Sequence, residues 1–430
     1  MKVLFVYPRF QRHADSNPEL RAFVPMKEYL GSPSLGIASV AAMTPPGWEI
    51  EFRDDRVVDA ARPTDADVVA LSFFTPAATR ALELADWFRA QGLPVVAGGI
   101  FPTMMPAEVV PHVDAVVLGE GEALWAQVLD DAMHKRLQPI YGPVICDLDT
   151  LPPPRTDLYF SAEGPDFHPD DYPLQVSRGC PMTCVACALP GTMGGKLRAF
   201  PMSHVEAQLA LMEAHGKRAN LTEDTGWFTT TAAGRRMGQL FDLVAGRGHT
   251  MTISYVGISM PMILAAGDRW LARAKAAGVD MFYLVGGFDP ITTRAFTGND
   301  DKALHRAHEA VQKAQDHGIE PYTSFLLGND DDDEGTADRM LEFSEKAGLR
   351  KAEFAIFTPY PNTPSWHRLL SEGRILTRRW ERYNDANVVF QPAKMSVDAL
   401  HQGYLRLWRE FYAARPEVWQ MTEVERTIQF

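Results

Sequence analysis

Residues 172–187 read YPLQVSRGCPMTCVAC. A strand-like run opens the stretch, and the loop that follows carries Cys180, Cys184 and Cys187 at Cys-x3-Cys-x2-Cys spacing. Three thiolates this close can all face one iron–sulfur cluster, and a 4Fe-4S cubane with three protein ligands keeps one iron open for another molecule. A zinc site completed by a histidine, or a redox dithiol, is the competing reading. Zinc ligands usually come as separated pairs, which this stretch lacks. The fourth cysteine, Cys146, stands apart and reads as a small buried hydrophobe.

The strand before the cysteine loop is the first of a series. Further strands are expected near 219–223, 251–256, 280–285, 320–327 and 351–358, each pair separated by a helix-length segment. Six strand–helix repeats predict a parallel, partial (β/α)6 TIM-like barrel with its active site at the C-terminal strand ends. Ser203, with Glu206 three residues on, matches a capping box at the start of a barrel helix. Upstream, KVLFVY, WEIEFRD, DVVALSF, PVVAGG and DAVVLGEGE alternate with helical stretches near 34–43 and 77–91. That pattern predicts an open, Rossmann-like α/β sheet, which binds ligands at its carboxyl strand ends. The expected organisation is a Rossmann-like domain over 1–138, a proline-rich linker over 139–168, the barrel over 169–364 and a small C-terminal helical cap over 365–430. Trp366, Trp380, Trp408 and Trp419 recur at helical spacing in the cap, where they are expected to bury against the barrel mouth.

At 430 residues and 46% hydrophobic, the chain is long and apolar enough for two or three packed domains. A net charge of −13 argues against nucleic acid or an anionic membrane as the main partner, since either needs a basic face. No apolar run reaches the ~18 residues of a membrane span, and MKVLFVYPRF carries no cleavage site, so a cytoplasmic location is expected. The acidic run 330–335 places acids at positions one, three and five of a calcium loop and glycine at six. Position twelve is Leu341, not the required glutamate, so carboxylates at a helix N-terminus are expected instead.

The cysteine triplet, followed by this repeat pattern over 172–364, resembles the radical S-adenosylmethionine (SAM) superfamily. The resemblance implies that SAM chelates the open iron through its amino and carboxylate groups. It also implies that the cluster, reduced by an electron donor such as flavodoxin or ferredoxin, cleaves a carbon–sulfur bond to release a carbon radical. The implied SAM contacts are Glu223 or Asp224 for the ammonium, Gly286 and Asp289 for the ribose, and Leu327 and Gly328 beside the adenine. Ala186 stands where the superfamily usually has an aromatic residue.

Over 1–133, the ordered segments VYPRF, PSLGIASVAAM, ALSFFT, VVAGGIFPTMMP and VVLGEGEALW resemble the cobalamin (B12)-binding domain that precedes many radical SAM proteins. Ser72, Thr75, Gly98, Gly99, Glu120 and Gly121 are the implied cofactor-binding residues. The D-x-H-x-x-G signature is missing, so cobalamin is expected base-off, its lower face covered by residues 73–76. Past the barrel, AIFTPYPNTP, EGRI, WERYN and VVFQPAKMS resemble the tail of relatives that modify porphyrins, hopanoids and other natural products. The leading expectation is a cobalamin-dependent methyltransferase with a small, natural-product-type substrate. A non-methylating radical enzyme stays open: a cyclase, a rearrangement, or transfer of the 3-amino-3-carboxypropyl group of SAM, with the B12-type domain empty. A cluster-based sensor is the alternative outside enzymes, although no basic helix-turn-helix or other effector region is visible.

Overall fold

The computed structural model describes residues 1–23, 31–164, 167–221, 231–248, 250–285, 291–292 and 300–415. Its first unit is a six-stranded sheet of β1 (Lys2–Tyr7), β2 (Glu49–Asp54), β3 (Val68–Ser72), β4 (Val95–Gly98), β5 (Ala115–Gly119) and β6 (Ile140–Val144). All pairings are parallel, in the order β2-β1-β3-β4-β5-β6. Val3 to Val6 are all buried, as a parallel strand covered on both faces requires. Helix Ala78–Ala90 covers one face with Ala78, Ala81, Leu84, Ala85 and Phe88, which recur at helical spacing and are fully buried. Chain order reverses between β1 and β3, and at such a reversal the flanking connections leave on opposite faces and open a crevice beyond the strand ends. Ile140–Val144 lies inside the proline-rich stretch, which thus supplies the sheet's edge strand.

The second unit opens with β7 (Asp171–Pro173), continues through a short antiparallel pair, β8 (Ser177–Arg178) and β9 (Arg198–Ala199), and resumes with β10 (Arg218–Leu221). Then follow β11 (Ile253–Ile258), β12 (Met281–Val285), β13 (Glu320–Leu327) and β14 (Lys351–Ile356). The order β14-β13-β12-β11-β10-β7 is parallel throughout and leaves β7 and β14 as edges, so the sheet is a curled half-barrel.

Two local expectations change. YPLQVS does not form one strand: Gln175 donates its backbone N–H to Gln208 Oε1 (3.1 Å), and its carbonyl accepts from Gln208 Nε2 (2.8 Å). A side chain thus replaces the ladder there, and the chain turns to pair β8 with β9 across the base of the cysteine loop. The capping box at Ser203 does not form either. The helix begins at Met202 after an extended Pro201, which puts Ser203 one residue inside it, and no side chain caps the end.

The C-terminal segment packs against both units. Trp408 is 1% exposed and donates its indole N–H to the Phe354 carbonyl (3.1 Å) on β14. Trp380 lies against Trp366 and against Phe101 of the first unit, with ring centroids 5.7 and 5.3 Å away. Tyr404 bonds His13 Nδ1 (2.9 Å), and Asn17 donates to the Ala386 carbonyl (2.8 Å). The cap is thus a strap across both units rather than only a lid on the barrel mouth; Trp419 lies outside the described residues. In the acidic run, Asp332 accepts from the Gly328 and Asn329 N–H groups (2.8 Å each), Asp330 pairs with Arg368 (2.5 Å) and Arg374 (2.7 Å), and Asp333 pairs with Arg339 (3.0 Å). These acids sit just ahead of helix Thr336–Ala347. No helix among the described residues is long and apolar enough to cross a membrane.

Trp408→Ala is expected to destabilise the chain by about 3–5 kcal/mol, the usual cost of emptying a buried tryptophan site. A lower thermal midpoint by circular dichroism checks it, and Trp408→Phe should recover most of the loss.

Candidate functional site

The cysteine loop hangs between β8 and β9. Gly179 introduces it at φ +83°, where a Cβ would run into the Lys196 carbonyl, so only glycine lets the chain turn into Cys180 there. The Cys180 N–H donates to Gly194 (3.1 Å) across the loop, and the Cys187 N–H to the Cys184 carbonyl (3.2 Å). Two sulfurs already receive backbone donors: Met182 N–H on Cys180 Sγ (3.4 Å) and Leu189 N–H on Cys187 Sγ (3.5 Å). Donors of this kind stabilise thiolates. Cys180 is buried, while Cys184 and Cys187 are partly exposed. Burial, then the neighbouring Cys180, push the Cys184 thiol up. Among the described residues no three His, Cys, Asp or Glu side chains gather around one metal ion. A cubane makes no such demand, because each thiolate binds its own iron. Ala186 is packed into the core. Cys146 is buried, its thiol pushed up to about 11 by burial and then by Glu122.

An ion network ties this loop to the first sheet. Glu120, directly after β5 and 2% exposed, accepts from Arg198 on β9 (3.0 Å) and from the Cys146 N–H (2.6 Å). Arg178 on β8 lies 3.7 Å from Glu120 and 2.6 Å from Glu122. Both strands flanking the cysteines are therefore held by carboxylates from the β5 end. Arg198 also donates to the Met193 carbonyl (2.9 Å) inside the loop, and Arg178 to Gln175 Oε1 (3.1 Å).

Beside the network lies a cavity of about 490 Å³. Its upper wall is the carboxyl edge of the first sheet, including Tyr7, Ser72, Phe73, Gly98 and Gly121, where the topology reverses. Its lower wall comes from the barrel unit: Gln175 and Arg178, Leu189 and Met193 after the cysteines, and Asn220 and Tyr255 on the first barrel strands. Gly98 is open, its nearest neighbour to an added Cβ being the Val117 carbonyl at 3.7 Å. Gly99 differs: at φ +102° a Cβ would meet the Phe73 carbonyl at 2.8 Å. Two lining residues, Ser39 and Asn220, each carry a buried side-chain oxygen with no hydrogen-bond partner among the described residues.

The sequence-expected residues fall into three groups. Ser72, Gly98, Gly99, Glu120 and Gly121 line the cavity, and Phe73 and Phe74 join them. Thr75 is buried off the lining, and Leu327 and Gly328 pack against the C-terminal helix, with Leu400 3.0 Å from a Cβ built on Gly328. Glu223, Asp224, Gly286 and Asp289 lie outside the described residues. No histidine is on the lining. His112 pairs instead with Asp86 (2.9 Å), ahead of β5 and away from the carboxyl edge. Sequence reading missed Ser39, Asn220, Arg178 and Arg198. Only Arg178, adjacent to the Gly-Cys turn, carried a local signal.

Comparison with known proteins agrees with this arrangement. Residues 29–129 match the B12 binding domain family, and 363–418 match a domain of unknown function (DUF4070). The bacteriochlorophyllide d C-8(2)-methyltransferase of Chlorobaculum tepidum is 25% identical, over 88% of this chain and 85% of that protein. The hopanoid C-2 methylase of Rhodopseudomonas palustris is 25% identical, over 87% of this chain and 71% of that protein. Among solved structures, the radical S-adenosylmethionine methyltransferase TsrM from Kitasatospora setae, with tryptophan substrate and a SAM analogue bound, superposes with a TM-score of 0.63. It covers 86% of this chain and 76% of that one at 16% identity, and TsrM has also been solved with cobalamin and a 4Fe-4S cluster. The chain therefore shares the fold of TsrM: a domain matching the B12 binding family, joined to a curled parallel half-barrel and a helical C-terminal end.

Glu120→Ala leaves Arg178 and Arg198 without a shared buried carboxylate and is expected to cost about 3–5 kcal/mol. Faster proteolytic cleavage within residues 179–197 than in the parent chain is the measurement that checks it.

Proposed function

We propose that this chain is a radical SAM enzyme with an N-terminal B12-binding domain, and that it acts as a cobalamin-dependent methyltransferase on a small, natural-product-type molecule. The observation that carries the reading is the placement of one cavity: its upper wall is the carboxyl edge of the B12-binding sheet, and its lower wall belongs to the barrel and the segment after the cysteines. Methylation needs a methyl carrier and a radical source to meet at one substrate, and a cavity walled by both units supplies the place.

The residues fit the groups they would hold. Cys180, Cys184 and Cys187 form the soft donor set a 4Fe-4S cluster takes, and two of the sulfurs already accept backbone N–H groups. The sheet edge offers the open backbone of Gly98 and the apolar faces of Phe73, Val117 and Trp125 to a flat cofactor. Phe73 and Phe74 would lie under a base-off cobalamin, with no histidine on the lining to ligate cobalt. When bound, these groups supply the radical that activates a carbon and the methyl that replaces its hydrogen. The chain's own part is to hold and to exclude: Glu120 and Glu122 fix the strands flanking the cysteines, and the apolar lining keeps water from the reacting centre. Glu223 or Asp224 would take the SAM ammonium, with Gly286, Asp289, Leu327 and Gly328 completing that site. The 25%-identical methyltransferases acting on a bacteriochlorophyllide and a hopanoid favour a polycyclic substrate. Reduction by a flavodoxin or ferredoxin suits a cytoplasmic location.

Replacing Cys180, Cys184 and Cys187 together by alanine is expected to abolish bound iron and the brown charge-transfer absorbance of the reconstituted chain, while Cys146→Ala keeps both. Iron retained in the triple variant overturns the cluster assignment. Gly98→Trp should lower cobalamin uptake at least 100-fold with iron content unchanged, because the indole would fill the cavity without striking the backbone. Wild-type chain that cleaves SAM yet takes up no cobalt promotes the non-methylating alternative.

A further inference from the structure

The first turn of a helix normally closes on itself. Helix Val397–Ala413 shows the ordinary form: the Ser396 hydroxyl accepts from the Ala399 N–H (3.0 Å), and the Ser396 carbonyl accepts from the Leu400 N–H (3.1 Å). Helix Leu35–Ala41 also starts on a serine, Ser34, but its first turn is built differently. Ser34 makes no side-chain cap, and the Ala38 N–H donates to the Tyr159 hydroxyl (3.0 Å). That hydroxyl donates in turn to the Ser34 carbonyl (2.7 Å). A phenol oxygen thus stands between the two backbone groups that would otherwise pair, and its one proton and a lone pair satisfy both. A side chain inserted into the i→i−4 ladder opens the turn and bends the helix there.

Tyr159 reaches this place from outside the first sheet. It sits on the short helix Asp157–Phe160 between the two units, is fully buried, and is backed by the Phe52 ring 4.9 Å away. Just upstream, the Arg155 N–H donates to the Ala38 carbonyl (2.9 Å), so one segment grips both backbone groups of Ala38. The opened turn is a cavity wall. Ser34, Leu35, Gly36 and Ile37 all line the cavity, and a Cβ on Gly36 would stand 3.6 Å from Ser72 Oγ at the end of β3.

We infer that Tyr159 is a positioning residue for this cavity: its hydroxyl wedges open the first turn of helix Leu35–Ala41 and so sets where Ser34, Leu35 and Gly36 stand against the bound cofactor. The inference rests on the cobalamin reading above, and it makes the segment joining the two units part of the cofactor site. Tyr159 is not on the lining, so its effect passes through the turn. With the hydroxyl gone, the Ala38 N–H and the Ser34 carbonyl are free to pair directly, the turn tightens and the wall shifts.

The test is Tyr159→Phe in the reconstituted, full-length chain, titrated with hydroxocobalamin and followed by visible difference spectra. The dissociation constant is expected to rise about five-fold, the worth of one ordinary contact at the wall, with iron content unchanged. Because the two backbone groups can satisfy each other, the cofactor-free variant should melt with the parent chain, and its Ala38 amide should exchange with solvent no faster. A lowered midpoint with affinity kept marks a residue that serves the fold alone and overturns the inference. Unchanged affinity at an unchanged midpoint overturns it too, since the turn then does not reach the cofactor, and so does faster exchange at Ala38, since the turn then does not close. Wild-type chain that binds no hydroxocobalamin overturns the cobalamin reading instead, while the exchange result still decides whether Tyr159 holds the turn open.

Discussion

The Glu120 carboxylate holds the molecule's two units in one register. It lies at the end of a B12-binding-sheet strand, wholly out of solvent, yet its partners, Arg198 and Arg178, belong to the two short strands that bracket the cysteine loop. A charge in that position is tolerable only if it is paired, and the arginines, themselves mostly buried, face the same demand. The network therefore cannot be half-formed without leaving a charge stranded in a poor dielectric. Coulombic pairing of this kind contributes little net stability against an apolar alternative, but it defines a register. Only one placement of the cysteine loop against the first sheet satisfies Glu120, Glu122, Arg178 and Arg198 together.

With that register set, the cavity follows. The β1–β3 reversal opens a crevice at the carboxyl edge of the first sheet, and the ion network brings the barrel's first strands and the segment after the cysteines across its mouth. Among the described residues, the cavity is walled by two packed units.

The C-terminal segment secures the arrangement from outside. Trp408 is anchored to β14, Trp380 to Phe101 of the first unit, and Tyr404 to His13. Burial holds the His13 ring well below its ordinary range, to about 4, so it is a neutral hydrogen-bond partner at physiological pH. Because these contacts are aromatic and uncharged, the strap holds the units together independently of the ionic seam near the cysteines.

Much of this was legible in the chain alone, for a local reason. Parallel strands need unbroken apolar runs, and strand ends that border a cavity favour small residues, so Val3 to Val6, Gly98 and Gly121 could be read in place. The sequence also announced Glu120 as a strand-end residue, but not what it does. Arg198 lies 78 residues from it, and no pattern within a window of helix or strand length links them. Ser203 and YPLQVS misled because capping and strand pairing depend on partners elsewhere, an extended Pro201 in one case and the Gln208 side chain in the other. Periodicity and spacing thus determined which elements form and where three cysteines gather. Which side chains face one another across the seam, and which of them are left without a partner, was decided only by tertiary structure, because hydrogen bonds and ion pairs depend on distance in space and carry no signature in sequence order.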